Sequence, residues 1–227
     1  QPRRDDYTPL TSYGWTAIEI CNQDTLAVNE RMERSPFEII GPPRELDGMP
    51  AIFPMQVKGA NDEIIYLTEI RGDLPSYDLP RAQSLIDKLF ILVMGCSDMD
   101  ATGRWMQTNL LLDQGAPIDM TYTMLSKAFE QPIETKYRIS TLQHERDVFI
   151  QIDDLPLEAK PRARHEGMLP PGMSIGTFIH PEFDRVCEIN KDLWVTPPTL
   201  RSGKIYDGKR AGTLLAPDGT LIEIIEA

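Results

Sequence analysis

Gly14-Trp15-Thr16-Ala17-Ile18-Glu19-Ile20 is an apolar, strand-like run that stops at the polar triplet Asn22-Gln23-Asp24. Behind it, Thr25 to Arg34 carries Leu26, Ala27, Asn29, Glu30 and Met32, a helix-forming composition. Asp24 is placed to cap that helix, because its carboxylate can accept from the free amides of the first turn. Three more strand-like runs follow: Phe37 to Ile40, Pro50 to Val57, and Glu63 to Ile70, the last two parted by Asn61-Asp62. The unit reads strand, helix, strand, strand, strand.

The same order recurs. Leu89 to Met94 reads as a strand, Ser97-Asp98 as a cap and Met99 to Leu112 as a helix. Tyr137 to Leu142 and Val148 to Ile152 are strands joined through a polar turn at His144 to Asp147. Between helix and strands, Ile118 to Phe129 is expected to be an extra helix, with Met120, Tyr122, Met124, Leu125 and Phe129 as its apolar positions. A third, shorter copy starts at Met173 to Ile179 and meets an acidic stop at Glu182 to Asp184. It closes with Gly212 to Leu215, the turn Pro217-Asp218-Gly219, and Thr220 to Ile225. The modules therefore span 13–71, 86–154 and 172–227, with joints near Leu74 to Pro80 and Leu155 to Pro171. The last joint, with Lys160, Arg162 and Arg164, reads as a surface loop or a strap between modules. A helix hides one face of a curved antiparallel sheet and leaves the other bare, so modules must pair. The expectation is an α+β fold of repeated βαβββ modules whose curved sheets pair around a barrel-like cavity.

Composition sets the outer limits. Of 227 residues, 35 are acidic and 23 basic, a net charge of −12, with 41% hydrophobic residues. That balance argues against binding a nucleic acid, which requires a basic face to displace counterions, and against an anionic membrane surface. No apolar run reaches membrane-spanning length, and Gln1 to Asp6 leads into no signal-like apolar stretch. Cys21, Cys96 and Cys187 are odd in number and far apart, giving neither a disulfide framework nor a zinc spacing. A cytoplasmic location is expected.

The strand-then-acidic-helix starts at Gly14 to Asp24 and Leu89 to Asp100 resemble the vicinal oxygen chelate superfamily, which holds glyoxalases, bleomycin-resistance proteins and extradiol dioxygenases. So does the module ending Leu214-Leu215-Ala216-Pro217-Asp218-Gly219-Thr220-Leu221-Ile222-Glu223. The resemblance implies a divalent metal (iron, zinc or manganese) held by first-strand histidines and last-strand glutamates of two paired modules, a Lewis acid for enolate or dioxygen chemistry. Among the positions where such ligands belong, Glu223 alone keeps a strong one. The corresponding last-strand positions hold Tyr66 and Gln151, and the first-strand positions hold Ala17, the histidine-free stretch Lys88 to Ile91, and the apolar region near Ile175. No standard metal site is expected; a metal-dependent enzyme would need an irregular set such as His180 and Glu223.

Each candidate has a plainer reading beside the functional one. Alternation puts Ala17, Glu19 and Cys21 on one strand face. Glu19 is then either a general acid–base in an apolar cavity or an exposed, salt-bridged strand residue. Glu223 carries the same two readings. Tyr66 and Gln151 either orient a substrate oxygen or fill a core. His180 ends a strand, as a proton-transfer group or as a histidine facing water. Arg44 is a clamp for a substrate carboxylate or a solvated loop residue, and Met120 and Met124 are a pocket wall or simply core. Cys21 reads as a small core residue, and Gly172-Met173-Ser174-Ile175-Gly176 as a chance match to a nucleophile elbow, since no helix follows it. With the resemblance, these residues imply a lyase or isomerase that handles a small apolar or aromatic oxygenated metabolite through an enolate-like intermediate. A metal-dependent dioxygenase or glyoxalase-type enzyme is one alternative, and a non-catalytic binding or resistance protein another. An odd number of modules leaves one sheet face bare, so a homodimer is expected.

Overall fold

The computed structural model describes residues 7–227; Gln1 to Asp6 lie outside the described residues. Three βαβββ units are present. The first is β1 (Gly14–Asn22), α1 (Thr25–Met32), β2 (Glu38–Gly41), β3 (Ile52–Lys58) and β4 (Ile64–Ile70). The second is β5 (Ile86–Cys96), α2 (Met99–Leu110), the short β6 (Asp113–Gln114) and β7 (Ile118–Thr121), α3 (Thr123–Ala128), β8 (Lys136–His144) and β9 (Asp147–Asp154). The third is β10 (Ile175–His180), α4 (Phe183–Ile189), β11 (Trp194–Leu200), β12 (Arg210–Leu215) and β13 (Leu221–Glu226).

Topology repeats with composition. In each unit the first strand lies parallel to the last: β1 to β4, β5 to β9, β10 to β13. Caps repeat as well, with Asp24 accepting from the amides of Leu26 and Ala27 and Asp98 from that of Ala101. Units one and two fuse where β1 pairs antiparallel with β5, giving one sheet in the order β2-β3-β4-β1-β5-β9-β8-β6, with β7 also on β8. Unit three makes its own sheet, β10-β13-β12-β11.

Alternation along β1 decides what each face buries. Ile18 and Ile20 point to the helix-covered side, packing with the α2/α4 core and with Val28, Met32, Met55, Val57 and Leu67 respectively. Ala17 and Glu19 point to the concave side with Ile64, Tyr66, Val93, Met120 and Ile139. The third unit packs its helix side against the helix side of the second, through Trp15, Met99, Met106, Phe183, Val186 and Ile224. Trp15 pins the contact by donating from Nε1 to the Leu221 carbonyl at 2.7 Å. Arg162 of the strap turns inward rather than outward, donating to the carbonyls of Trp15, Pro171 and Met173.

One local expectation needs correction. Ile118 to Phe129 is not one helix: Ile118–Thr121 is a strand on β8, and only Thr123–Ala128 is helical. The third unit, though shorter, keeps both a helix, α4, and a third strand, β11. Among the described residues, no helix is long and apolar enough to cross a membrane.

Candidate active site

The nine-stranded sheet curls around a cavity of about 130 Å³. Its floor is strand residues Glu19, Tyr66, Ile91, Val148 and Gln151, and one wall is Met120 and Tyr122. Leu46, Met49, Leu74, Tyr77 and Leu79, from the loops after β2 and β4, cover its mouth. Polar atoms are few in this lining, so each has weight.

Glu19 is buried, at 7% exposure, and accepts from Thr68 Oγ1 at 2.5 Å through Oε1. Loss of water disfavours the carboxylate and pushes its pKa up to about 7, against the lowering effect of the Thr68 bond. Tyr66 stands directly across from Glu19 in the β1–β4 register. Its hydroxyl is buried and finds no hydrogen-bond partner among the described residues. Orphaned buried hydroxyls are costly, and one that faces a cavity is a donor waiting for a ligand. Burial holds the Tyr66 and Tyr122 phenols well above their ordinary range, so both stay protonated donors.

Gln151 links a second carboxyl to the group. Its Nε2 donates both to the Tyr122 hydroxyl at 3.0 Å and to Asp153 Oδ1 at 2.7 Å. Both amide hydrogens are thereby used, which leaves its carbonyl oxygen as the atom able to meet a ligand. Asp153 is buried and pushed up to about 7, first by desolvation and then by the charge of Glu19. The sheet thus places two acids that titrate near neutrality beside one apolar chamber, an arrangement suited to taking a proton and returning one.

Other sequence candidates fall elsewhere. Met120 lines the cavity, whereas Met124 is core. Arg44 is an exposed loop arginine beside a shallow neighbouring depression with Gln56 and Tyr122, and it pairs with Asp47 at 3.0 Å. Glu223 is on β13, bonded by Thr177 and Tyr206, outside the cavity. His180 does not face water: its ring bridges the Leu110 carbonyl at 2.8 Å and the Glu182 amide at 3.0 Å, and burial lowers its pKa. It pairs across the strand with Glu226, three residues on from Glu223, so β alternation sends His180 and Glu223 to opposite faces and the two cannot share a metal. Ser174 donates to the Pro170 carbonyl, and Cys21 is buried with its thiol pKa raised. Thr68 and Asp153 escaped the sequence reading, and Tyr122 entered it only as an apolar helix position. Thr68 shares the concave face with Tyr66 by alternation, which is the one signal that could have found it.

No family model and no curated protein matches the chain. Solved structures do. Maize glyoxalase I superposes with a TM-score of 0.60 at 12% identity, over 95% of this chain and 68% of that one. A candidate dioxygenase of Bacillus subtilis superposes with a TM-score of 0.57 at 11% identity, over 99% of this chain and 65% of that one. This chain has the vicinal oxygen chelate fold. The likeness is one of fold, since a shared architecture does not carry a shared reaction.

Proteins with the vicinal oxygen chelate fold commonly place a divalent metal in such a chamber. The donors here do not fit one. Glu19 is the one carboxylate among the lining residues, no histidine is among them, and the hydroxyl of Thr68 donates to it. Among the described residues, no group of three or more His, Cys, Asp or Glu side chains comes together. A centre of the His–carboxylate kind needs three or four such ligands.

Proposed function

We propose that this protein is an enzyme, a lyase or isomerase that forms an enolate-like intermediate from a small, largely apolar or aromatic oxygenated metabolite. The observation that carries the reading is Glu19: a buried carboxyl, near-neutral in pKa, at the floor of an apolar cavity opposite an unpartnered phenol. A cavity of about 130 Å³ points to a compact ligand, since drug-sized ligands occupy roughly 300–1,000 Å³.

In this reading a substrate carbonyl oxygen accepts from the Tyr66 hydroxyl. The Glu19 carboxylate removes a proton from the adjacent carbon, the C–H electron pair moves into the carbonyl, and charge collects on the oxygen that Tyr66 holds. Glu19, now neutral, returns the proton to a neighbouring carbon or to a leaving group. Thr68 fixes the orientation of Glu19, and Gln151 fixes Tyr122. Covering residues such as Leu74 and Tyr77 keep water from the intermediate. All three cysteines are free thiols, which supports a reducing, cytoplasmic setting.

Proton abstraction next to a carbonyl can be seen without knowing the product. A panel of compact 2-oxo and 2-hydroxy carbonyl compounds, incubated with protein in deuterated water and followed by proton NMR, is expected to show enzyme-dependent deuterium uptake for at least one member. Uptake should rise with pH through about 7, where Glu19 ionises. Glu19→Gln should abolish it while binding persists, and Tyr66→Phe should lower it by about 10- to 100-fold. Uptake that survives Glu19→Gln would remove the proposal, and binding with no uptake in any member would favour the sequestering alternative.

A further inference from the structure

No lysine, arginine or histidine is among the residues that line the Glu19 cavity. The arginines of the covering loops, and of the β8–β9 turn that holds one of them, are already paired. Arg44 meets Asp47 at 3.0 Å, Arg81 meets Asp73 at 2.6 Å and Arg146 meets Asp78 at 2.7 Å. An anionic group in the chamber would be buried beside an ionisable acid with no cation to match it, which is a costly arrangement.

Most polar groups of the lining are spent inside the protein. Ser140 Oγ donates to the Gly115 carbonyl at 2.7 Å, Thr141 Oγ1 donates to the Tyr77 hydroxyl at 3.3 Å, and Gln151 Nε2 serves Tyr122 and Asp153. Two lining side chains have no partner at all among the described residues. The Tyr66 hydroxyl is one. The amide of Gln56, a residue with 8% exposure, is the other. Gln56 stands opposite Tyr66 in the β3–β4 register, as Glu19 does in the β1–β4 register. Three adjacent strands thus lay Gln56, Tyr66 and Glu19 side by side across the cavity. On its other flank Gln56 faces Gly41 of β2. Any side chain at position 41 would collide with Gln56 Oε1, so the bare glycine is what lets the amide lie there. A buried amide left unpaired costs stability, and a ligand that bonds it recovers the loss.

We propose that Gln56 is a specificity-determining residue, and that the cavity takes an uncharged carbonyl compound with a second oxygen function about 5 Å from the first. The carbonyl oxygen accepts from the Tyr66 hydroxyl. The second oxygen, a hydroxyl or another carbonyl, bonds the Gln56 amide, which can both donate and accept. Opposed Cβ atoms on neighbouring strands stand roughly 4.5–5.5 Å apart, and that spacing sets the separation of the two oxygens. It is the separation across a six-membered ring. Gln56 has this role only if the cavity is the substrate site proposed above, yet it acts on binding and not on proton transfer.

Three ring ketones test the assignment: cyclohexanone, 4-hydroxycyclohexanone and the 4-oxocyclohexanecarboxylate anion. Their affinities are measured by titration calorimetry below the Glu19 midpoint, so that repulsion by its carboxylate plays no part. The hydroxyketone is expected to bind about 10-fold more tightly than cyclohexanone, and the anion about 100-fold more weakly than the hydroxyketone. Gln56→Leu should erase the preference for the hydroxyl and leave the affinity for cyclohexanone unchanged, whereas general damage to the cavity would weaken both. Gly41→Ala should act in the same way by displacing the amide, and it stands in should Gln56→Leu not fold. Equal affinity for the two neutral ketones overturns the proposal. So does tighter binding of the anion, a preference that survives Gln56→Leu, or binding of none of the three. Deuterium exchange beside the ketone, followed above the Glu19 midpoint, reads the chemistry separately. The binding preference without exchange sinks the role of Glu19 and leaves Gln56 in place; exchange without the preference does the reverse.

Discussion

Glu19 is where the chemistry and the stability of this fold meet. Its folded-state pKa of about 7 lies above the ordinary 4.5, so between those values the folded chain keeps a proton that the unfolded chain has released. Stability is therefore full below the ordinary value and falls as pH rises through about 7, the opposite of a salt-bridged carboxylate. Asp153 acts in the same sense. Melting temperature is expected to drop between pH of about 5 and about 8, and Glu19→Gln to recover on the order of 3 kcal/mol of that loss. Scanning calorimetry across that range checks it; identical pH profiles for the two proteins would contradict it. Alternation in one strand grouped Glu19 with Ala17 and Cys21 but left open which way that face points; the packing of half-buried Ile18 and Ile20 on the far side decides it. Thr68 and Asp153, and the polar role of Tyr122, were hidden for a different reason. Their importance comes from strands and a wall brought together by the curl of the sheet, and Asp153 beside Asp154 looks in sequence like the polar end of a strand.

At the level of elements, the units were legible wherever local chemistry and tertiary role agreed. Asp24 and Asp98 announce helices and cap them. Asp98→Ala should accordingly lower stability by about 1 kcal/mol in urea denaturation without changing ligand binding, since α2 lies on the side away from the cavity. A loss below a few tenths would show that other contacts hold the first turn. Illegibility followed conflict. Ile118 to Phe129 has apolar positions that read as one helix, but β8 offers an unpaired edge and takes Ile118–Thr121 as a strand. β11 carries Pro197 and Pro198, which argue against a central strand and are tolerated here at an edge. Glu182 makes no side-chain cap bond, which is why α4 gave so weak a signal.

Across the whole molecule, the repeat was visible because each unit must solve the same burial problem with the same order of elements, and the curl of the sheet then supplies the cavity. Trp15 is the joint between its parts: it is buried, bonded to the Leu221 carbonyl and packed against Phe178. Trp15→Ala should cost about 3–5 kcal/mol, with amide exchange accelerating first in β10 and β13; uniform acceleration across all three units would contradict this view of a joint. The central claim is more local and can be read from a single nucleus. Carbon-13 NMR of glutamate-labelled protein, with the Glu19 carboxyl resonance assigned by its absence in Glu19→Gln, gives its titration directly. A midpoint near 7 is the predicted result, and a midpoint near the ordinary 4.5 would mean that water reaches the carboxyl and that the dry, proton-holding chamber does not exist.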